Sequence, residues 1–308
     1  MTTYADLCSG GSGATRGALD AGLDPLWGIE NVDEIAQVSR DNGFHVVTAD
    51  ATTVDPAGYE RPGVLHASLP CPNFSPAKMG GKETAEDIAL ALATVRFIEA
   101  LEPRVFTLEN VWGYRRSESW RLIQDALNRT GYWTDVHHLN SADFGVPQTR
   151  KRMIVRAVRG GWLPPLPAPV PWRGWYQAIE DLLPGLSDSA FAPWQLKRDV
   201  QDMLDPACLL SQGSYDHTDA GNERDAQPIG RRTATEPAFT VSANSNMSGM
   251  RAFLAIPGRV VKMSPRCLAR FQSVPDDYVL PENDTLAVRV IGNMVPPLMM
   301  QRLLEPFV

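Results

Sequence analysis

The chain has 308 residues, 44% of them hydrophobic and 21% charged, with a net charge of −7. That composition excludes a mainly disordered chain, and the length allows one large core plus a smaller lobe. No apolar run approaches the roughly 18–20 residues needed to cross a bilayer, and MTTYADLCSG is not a signal peptide, so a cytoplasmic location is expected.

TYADLC predicts a short strand, and SGGSGATRGALDAG a glycine-rich turn opening a helix that ends near Gly22. PLWGIE predicts a second strand and VDEIAQVSRDNG the helix after it. HVVTAD and GVLHASLP predict two further strands. TAEDIALALATVRFIEAL reads as a strongly amphipathic helix, RVFTLENV as a strand, SESWRLIQDALNRTG as a helix, and WTDVHHLN and KRMIVRAV as strands. Strands and helices alternating at this spacing indicate an α/β open sheet of largely parallel strands.

GGWLPPLPAPVPWRGW breaks the pattern, because proline at that density excludes regular core structure. It reads as a hinge into a second lobe. That lobe is rich in turn residues, with helical period in WYQAIEDLL and WQLKRDVQDML; helical signal returns at SPRCLARFQ and near the C-terminus. The expected division is 1–160, 161–258 and 259–308, the last completing the first.

The four cysteines, Cys8, Cys71, Cys208 and Cys267, form no CxxC, so free thiols and no metal site are expected. Residues 111–160 hold nine Lys/Arg against four Asp/Glu, and residues 224–270 hold eight against two. An acidic body carrying two basic stretches can bind a polyanion if they share a face.

Gly10, Gly11 and Gly13 follow the first strand and open a helix, where backbone can approach a ligand and free N–H groups point outward. Glu30 ends the second strand about 20 residues on, the usual place for a carboxylate that grips ribose hydroxyls. Asp50 ends the third and can accept from an adenine amino group. This set indicates an adenosine-containing cofactor, with NAD and S-adenosylmethionine both open. A second set joins it: Pro70-Cys71-Pro72-Asn73-Phe74-Ser75 after the fourth strand, Glu109-Asn110-Val111 closing the fifth, Gln148-Thr149-Arg150-Lys151-Arg152 opening a later strand, and Gly292-Asn293-Met294-Val295-Pro296-Pro297 near the C-terminus. Ligands of open α/β sheets bind at the carboxyl ends of strands, so these residues should converge.

On these motifs the chain resembles the DNA (cytosine-5) methyltransferase family, of prokaryotic or phage type, over nearly its whole length and in the family's order: DLCSGGSG, PCPNFS, ENV, QTRKR, TEPAFTV, SPRCLARFQSVPDDY and GNMVPP. The resemblance implies a Rossmann-like class I S-adenosylmethionine-dependent methyltransferase sheet with a smaller, irregular target-recognition lobe. It implies S-adenosylmethionine as cofactor, contacted by Cys8, Gly10, Gly11, Gly13, Glu30, Asn31, Asp50, Ala51, Pro70, Leu90, Asn293 and Val295. It implies Cys71 as a thiolate nucleophile toward C6 of a flipped-out cytosine. Glu109 would hold N3 and the 4-amino group, and Arg150 and Arg152 would orient the base at O2. Asn110 would support the loop geometry.

Double-stranded DNA is the implied partner. Ser75, Lys78, Thr240, Asn244 and Arg251 are its implied contacts, and SPAKMGGKETAED its implied flap, with Lys78 and Lys82 facing phosphates. A monomer is expected, paired with a restriction endonuclease or acting alone. The family usually carries an aromatic where Cys8 stands and a bulky apolar residue where Asn31 follows Glu30, so adenine contact is where this chain departs. Three rivals are weighed. A transfer-RNA cytosine-5 methyltransferase of the same superfamily fits the short second lobe. A nicotinamide oxidoreductase leaves PCPNFS, ENV and QTRKR unexplained. A non-catalytic DNA-binding regulator is opposed by the retention of Cys71 and Glu109.

Overall fold

The computed structural model describes residues 1–70, 73–74, 82–189, 206–210, 231–243 and 253–308. Cys71, Ser75, Lys78, Asn244 and Arg251 lie outside the described residues, as does the helix expected over WQLKRDVQDML. In chain order the elements are β1 (Thr3–Leu7), α1 (Gly13–Asp20), β2 (Asp24–Glu30), α2 (Asp33–Asp41), β3 (Val46–Thr48), β4 (Val64–Ala67), α3 (Ala85–Leu101), β5 (Val105–Asn110), α4 (Glu118–Arg129), β6 (Tyr132–Asn140) and β7 (Lys151–Arg159). They continue with α5 (Trp175–Ile179), β8 (Cys208–Leu210), β9 (Arg231–Thr233), β10 (Phe253–Ile256), β11 (Arg259–Lys262), α6 (Pro265–Phe271), α7 (Asp284–Asn293) and α8 (Pro297–Leu304).

The chain divides into two compact units. One comprises residues 1–144, 151–170 and 294–308; the other comprises 145–150 and 171–293. The sequence expectation grouped 259–308 with the first unit. Only 294–308 cluster there, while 259–293 cluster with the second, because α6 and α7 make their contacts within it.

The first unit is built on a seven-stranded sheet of order β3-β2-β1-β4-β5-β7-β6. The pairs among β3, β2, β1, β4 and β5 are parallel, and β7 runs antiparallel to both β5 and β6. One face is apolar and packs under α3 and α4, with Leu7, Leu65, Phe106, Leu108 and Val155 all buried. α3 starts at a capping box between Thr84 and Asp87, which satisfies two otherwise free N–H groups. Its expected amphipathic stripe does not hold. The run IALALATV is apolar on every side, so Leu92 stands 46% exposed while Ala91 and Ala93 are buried.

The other face carries α1 and α8 over Tyr4, Val64, Val105 and Val158. One rung further toward the carboxyl ends, that same face turns polar. Asp6, His66, Thr107, Arg156 and Asp135 are cross-strand neighbours in β1, β4, β5, β7 and β6. All but Asp135 are fully buried. His66 bridges Thr107 Oγ1 (2.7 Å) and Ser68 Oγ (2.8 Å), and Arg156 Nη2 donates to Asp135 Oδ2 (2.7 Å).

In the second unit, β11-β10-β8-β9 form an antiparallel sheet. Strands of three and four residues leave no alternation long enough to read from sequence. Arg270 of α6 pairs with Asp181 and Asp276 and donates to the Ala178 carbonyl of α5, tying the two helices. The proline-crowded stretch 161–174 has no helix or strand, as its composition requires.

Candidate active site

The turn after β1 is shaped by left-handed backbone at Cys8 (φ +58°), Gly10 (φ +53°) and Ser12 (φ +57°). Glycine accepts that geometry freely; for cysteine and serine it costs about 1–2 kcal/mol each, strain of the kind stored at ligand sites. Glu30, at the end of β2, accepts from the Gly10 amide with Oε2 (3.0 Å) and from the Val32 amide with Oε1 (2.9 Å). The turn and the second strand end are thereby locked together. Each carboxylate oxygen retains further acceptor capacity.

Asp50 accepts from the Thr52 amide (2.8 Å) and hydroxyl (2.7 Å), which hold its carboxyl below the usual range and keep it ionised. Burial, then Glu30, Asp6 and Asp50, push the Cys8 thiol upward, so it is a neutral wall rather than a thiolate. Cys8 and Leu90 pack as partly buried apolar groups on the core that includes Ala51. Asn31 is exposed. One rooted carboxylate for a diol, one ionised carboxylate for an exocyclic amine and apolar walls between them suit an adenosyl group.

Beneath the turn, Asp6 is buried and accepts from Thr15 Oγ1 (3.1 Å) and Tyr4 OH (3.4 Å). Burial pushes its pKa up to about 8. α1 lies closely against the C-terminal segment: a Cβ on Gly13 would meet Met294 Cγ at 2.1 Å and the Val295 carbonyl at 2.3 Å. Val295 is therefore brought to the glycine turn. Asn293 is exposed at the end of α7, in the second unit.

At the carboxyl end of β5, Glu109 is 7% exposed, and Arg152 Nε lies 2.9 Å from its Oε1. The register explains the meeting. Glu109 pairs with Ile154 across the antiparallel β5–β7 ladder, so Arg152, two residues before Ile154, lies on the same face at the rim. Asn110 Nδ2 donates to the Leu69 carbonyl (3.1 Å), and Asn110 Oδ1 accepts from the Val111 amide (2.8 Å). The residue before Pro70 is thus fastened to the Glu109 strand.

On the far flank of Cys71, Asn73 donates to Asp87 Oδ2 (2.8 Å). The Phe74 ring sits edge-on to Tyr114 at 4.9 Å, and a Cβ on Gly113 would meet the Phe74 carbonyl at 2.5 Å. Glu83 accepts from the Glu118 amide (2.8 Å) and the Ser119 amide (2.7 Å), capping α4 from the loop. Sequence reasoning missed Glu83, since nothing local ties it to a helix 35 residues away. Lys82 is exposed and Pro70 is exposed.

In the second unit, Arg150 is 3% exposed, and its Nη1 donates to the carbonyls of Val241 and Gly292 (3.1 Å each). The adjacent Gln148 is fully buried. It donates to Gln272 Oε1 (2.7 Å) and accepts from the Val241 amide (2.6 Å), while Gln272 donates to the Ile291 carbonyl (2.8 Å). Thr240 is exposed and donates to the Thr149 carbonyl (2.6 Å). The QTR, FTV, FQ and GN segments are therefore one buried polar knot. Gln272, its centre, was not singled out in the sequence, although it stands inside SPRCLARFQ.

The strand order with its reversed β7, and the glycine turn locked to an acidic second strand end, define a class I S-adenosylmethionine-dependent methyltransferase. The chain belongs to the C-5 cytosine-specific DNA methylase family, whose pattern it matches over residues 2–307, and is a DNA cytosine-5 methyltransferase that uses S-adenosylmethionine. It is 26% identical to the Type II methyltransferase M1.HphI of Haemophilus parahaemolyticus over 98% of this chain and 86% of that protein. It is 27% identical to the Type II methyltransferase M.Bsp6I of Bacillus sp. (strain RFL6) over 99% and 98%. In fold it is similar to Schizosaccharomyces pombe Dnmt2 methyltransferase (TM-score 0.63, 14% identity, 99% of both chains) and to Entamoeba histolytica methyltransferase EhMeth (TM-score 0.66, 12% identity, 99% and 97%). No described helix is long and apolar enough to cross a membrane.

Proposed function

We propose that Cys71 attacks C6 of a cytosine flipped out of a specific duplex DNA sequence, and that Glu109 and Arg152 hold that base while C5 is methylated. The pairing of Glu109 with Arg152 at the β5–β7 rim, with both flanks of Cys71 fastened to that rim, carries this reading. Bound S-adenosylmethionine supplies the methyl group as a sulfonium. Glu30, Asp50, Cys8, Leu90 and the Gly10–Gly13 turn would hold it, with Val295, Asn31, Ala51 and Pro70 as further contacts.

When the Cys71 sulfur bonds to C6, the C5–C6 π electrons pass to C5 and toward N3, and C5 becomes the nucleophile. Glu109 accepts from the 4-amino group and holds a proton at N3 as charge accumulates there. Arg152 anchors Glu109 and faces O2. After methylation a water takes the C5 proton, the C5–H electron pair re-forms the C5–C6 double bond, and the C6–S bond breaks to return the Cys71 thiolate. Arg150 holds the QTR segment to Val241 and Gly292 within the second unit.

The first unit carries catalysis and the second reads the sequence, with Ser75, Lys78, Thr240, Asn244 and Arg251 among the DNA contacts. The enzyme works as a monomer on nucleoid DNA, within a restriction–modification system whose endonuclease cuts the unmethylated site. Labelled S-adenosylmethionine is incubated with mixed-sequence duplex DNA and the product nucleosides are separated. Label in 5-methylcytosine, abolished in Cys71→Ser with cofactor affinity intact, is the expected result. Label at N4, label in transfer RNA alone, or an active Cys71→Ser overturns the reading.

A further inference from the structure

Beyond the catalytic pair, the same rim of the first unit carries a cationic shelf. A short 3-10 turn, Trp112–Arg116, leaves the end of β5. The Trp112 ring stacks on His138 of β6 with centroids 4.4 Å apart and planes 13° apart. The Arg115 guanidinium sits 4.7 Å over the Trp112 ring. Lys151, the first residue of β7, is paired in register with Asn140, two residues beyond His138. Arg116, Lys151 and His138 are exposed.

No carboxylate among the described residues forms an ion pair with Arg115, Arg116 or Lys151, and Arg115 Nε is buried without a partner. Several other arginines on this unit are matched: Arg121 with Glu118 and Asp125, Arg129 with Glu99, Arg159 with Glu102. The positive field at the shelf is felt by His138, whose pKa is held below its ordinary value by desolvation and then by Lys151 and Arg115.

The shelf is also rigid. Tyr114, in the middle of the turn, is 1% exposed and packs on Phe74, the trailing end of the PCPNFS loop. A stacked indole–imidazole platform with unneutralised cations around it is organised for a phosphodiester oxygen, and the guanidinium is oriented in advance by the ring beneath it.

We propose that Arg115 and Lys151, set on the Trp112–His138 stack, bind backbone phosphates of the DNA strand that delivers the target cytosine. This rests on the function proposed above and adds the surface that holds the strand. Its position follows from the sheet: β5 ends in the catalytic carboxylate, and the shelf is made by the next residues of the same chain with the facing ends of β6 and β7. A strand whose base reaches Glu109 lays its neighbouring phosphates on that rim.

The test is DNA affinity against salt. A mixed-sequence 24-base-pair duplex is titrated with the full chain, Arg115→Gln, Lys151→Gln, the double variant, and Arg121→Gln as a control for lost charge. Each phosphate contact removed lowers the steepness of log K against log salt by about 0.9. Each single variant should therefore be shallower by about one unit and the double variant by about two. Arg121→Gln and S-adenosylmethionine affinity should not change. Thermal melts establish that each variant is folded, and exposed Lys151→Gln keeps the test open should Arg115→Gln unfold.

Slopes equal to the parent's in the folded variants overturn the proposal, as do slopes that fall equally in Arg121→Gln. A fall seen with single-stranded RNA but not with duplex DNA overturns the choice of ligand. If the parent itself neither binds nor methylates DNA, the function proposed above has failed, and that outcome is distinct from unchanged slopes in an active enzyme.

Discussion

Gly17→Ala should destabilise this protein, although alanine is the better helix former. Gly17 lies inside α1, where glycine-to-alanine normally gains about 0.8–1 kcal/mol. Here the new Cβ would stand 2.4 Å from the Pro297 carbonyl oxygen, 2.8 Å from Met300 Cβ and 2.9 Å from the Gln301 amide nitrogen. Real Cβ contacts essentially never fall below 3.0 Å, so the first turn of α8 has to retreat by at least the difference between 2.4 and 3.0 Å. The obstructing atoms are mainly backbone and cannot swing aside as a side-chain tip would.

Overpacking of that kind costs about 1–3 kcal/mol, and the rigid neighbours place it near the top. Net of propensity, about 2 kcal/mol should be lost, a fall of about 4–8 °C in Tm for a unit of this size. Met294 and Val295, shortly before α8, cover Gly13 in the turn proposed to hold the cofactor, so S-adenosylmethionine affinity should fall with stability. Urea unfolding and cofactor titration measure the two. A Gly17→Ala protein as stable as the parent would refute the claim that close backbone contact fixes α8 on α1.

Asp6→Asn tests the buried carboxyl. Its native pKa of about 8 lies above the unfolded value near 3.9, so its contribution is fully present below about pH 4 and is lost as pH rises toward 8. Between pH 5 and 7 the parent should lose on the order of 1 kcal/mol per pH unit more than Asp6→Asn; parallel urea-stability profiles would exclude it. Asn110→Ala strands the Leu69 carbonyl and the Val111 amide, and should cost about 2–4 kcal/mol with turnover reduced more than cofactor affinity, as thermal melts and initial rates will show. Arg152→Met should cut turnover by about two orders of magnitude with cofactor binding kept. Arg150→Met, which leaves two buried carbonyls bare, should lose about 2–4 kcal/mol of stability. Reversal of those two phenotypes would exchange the roles given to the arginines.

The sheet was legible because its signals are local. Each strand of the first unit lies inside a run bounded by turn residues, and the glycines after β1 mark their own turn. Glu30 and Glu109 were legible because strand ends follow from strand limits. What was not legible depends on pairing. The meeting of Glu109 with Arg152 needs the β5–β7 register, and the knot of Gln148 with Gln272 joins residues 124 apart. The membership of 259–293 in the second unit is likewise a matter of contacts that no spacing announces. Arg150 and Arg152 look equivalent in QTRKR. Only the fold separates them, one donating to carbonyls of the second unit and the other facing a carboxylate in the first.

The polar rung below the site gives this register its security. Asp6, His66, Thr107 and Arg156 lie side by side under α1 and α8, and the opposite face of the same strands is apolar. A slip of one residue in any strand would turn its polar member into that apolar core, and unpaired buried polar groups cost about 1–3 kcal/mol each. The rung therefore penalises each wrong alignment of β1, β4, β5 and β7. Glu109 is two residues beyond Thr107, Arg152 four before Arg156, and Ser68 two beyond His66. The alignment that satisfies the buried row is the one that sets Glu109 against Arg152 and brings the end of β4, which leads to Leu69 and Pro70, to the same rim, so the buried polar row is also what aims the site.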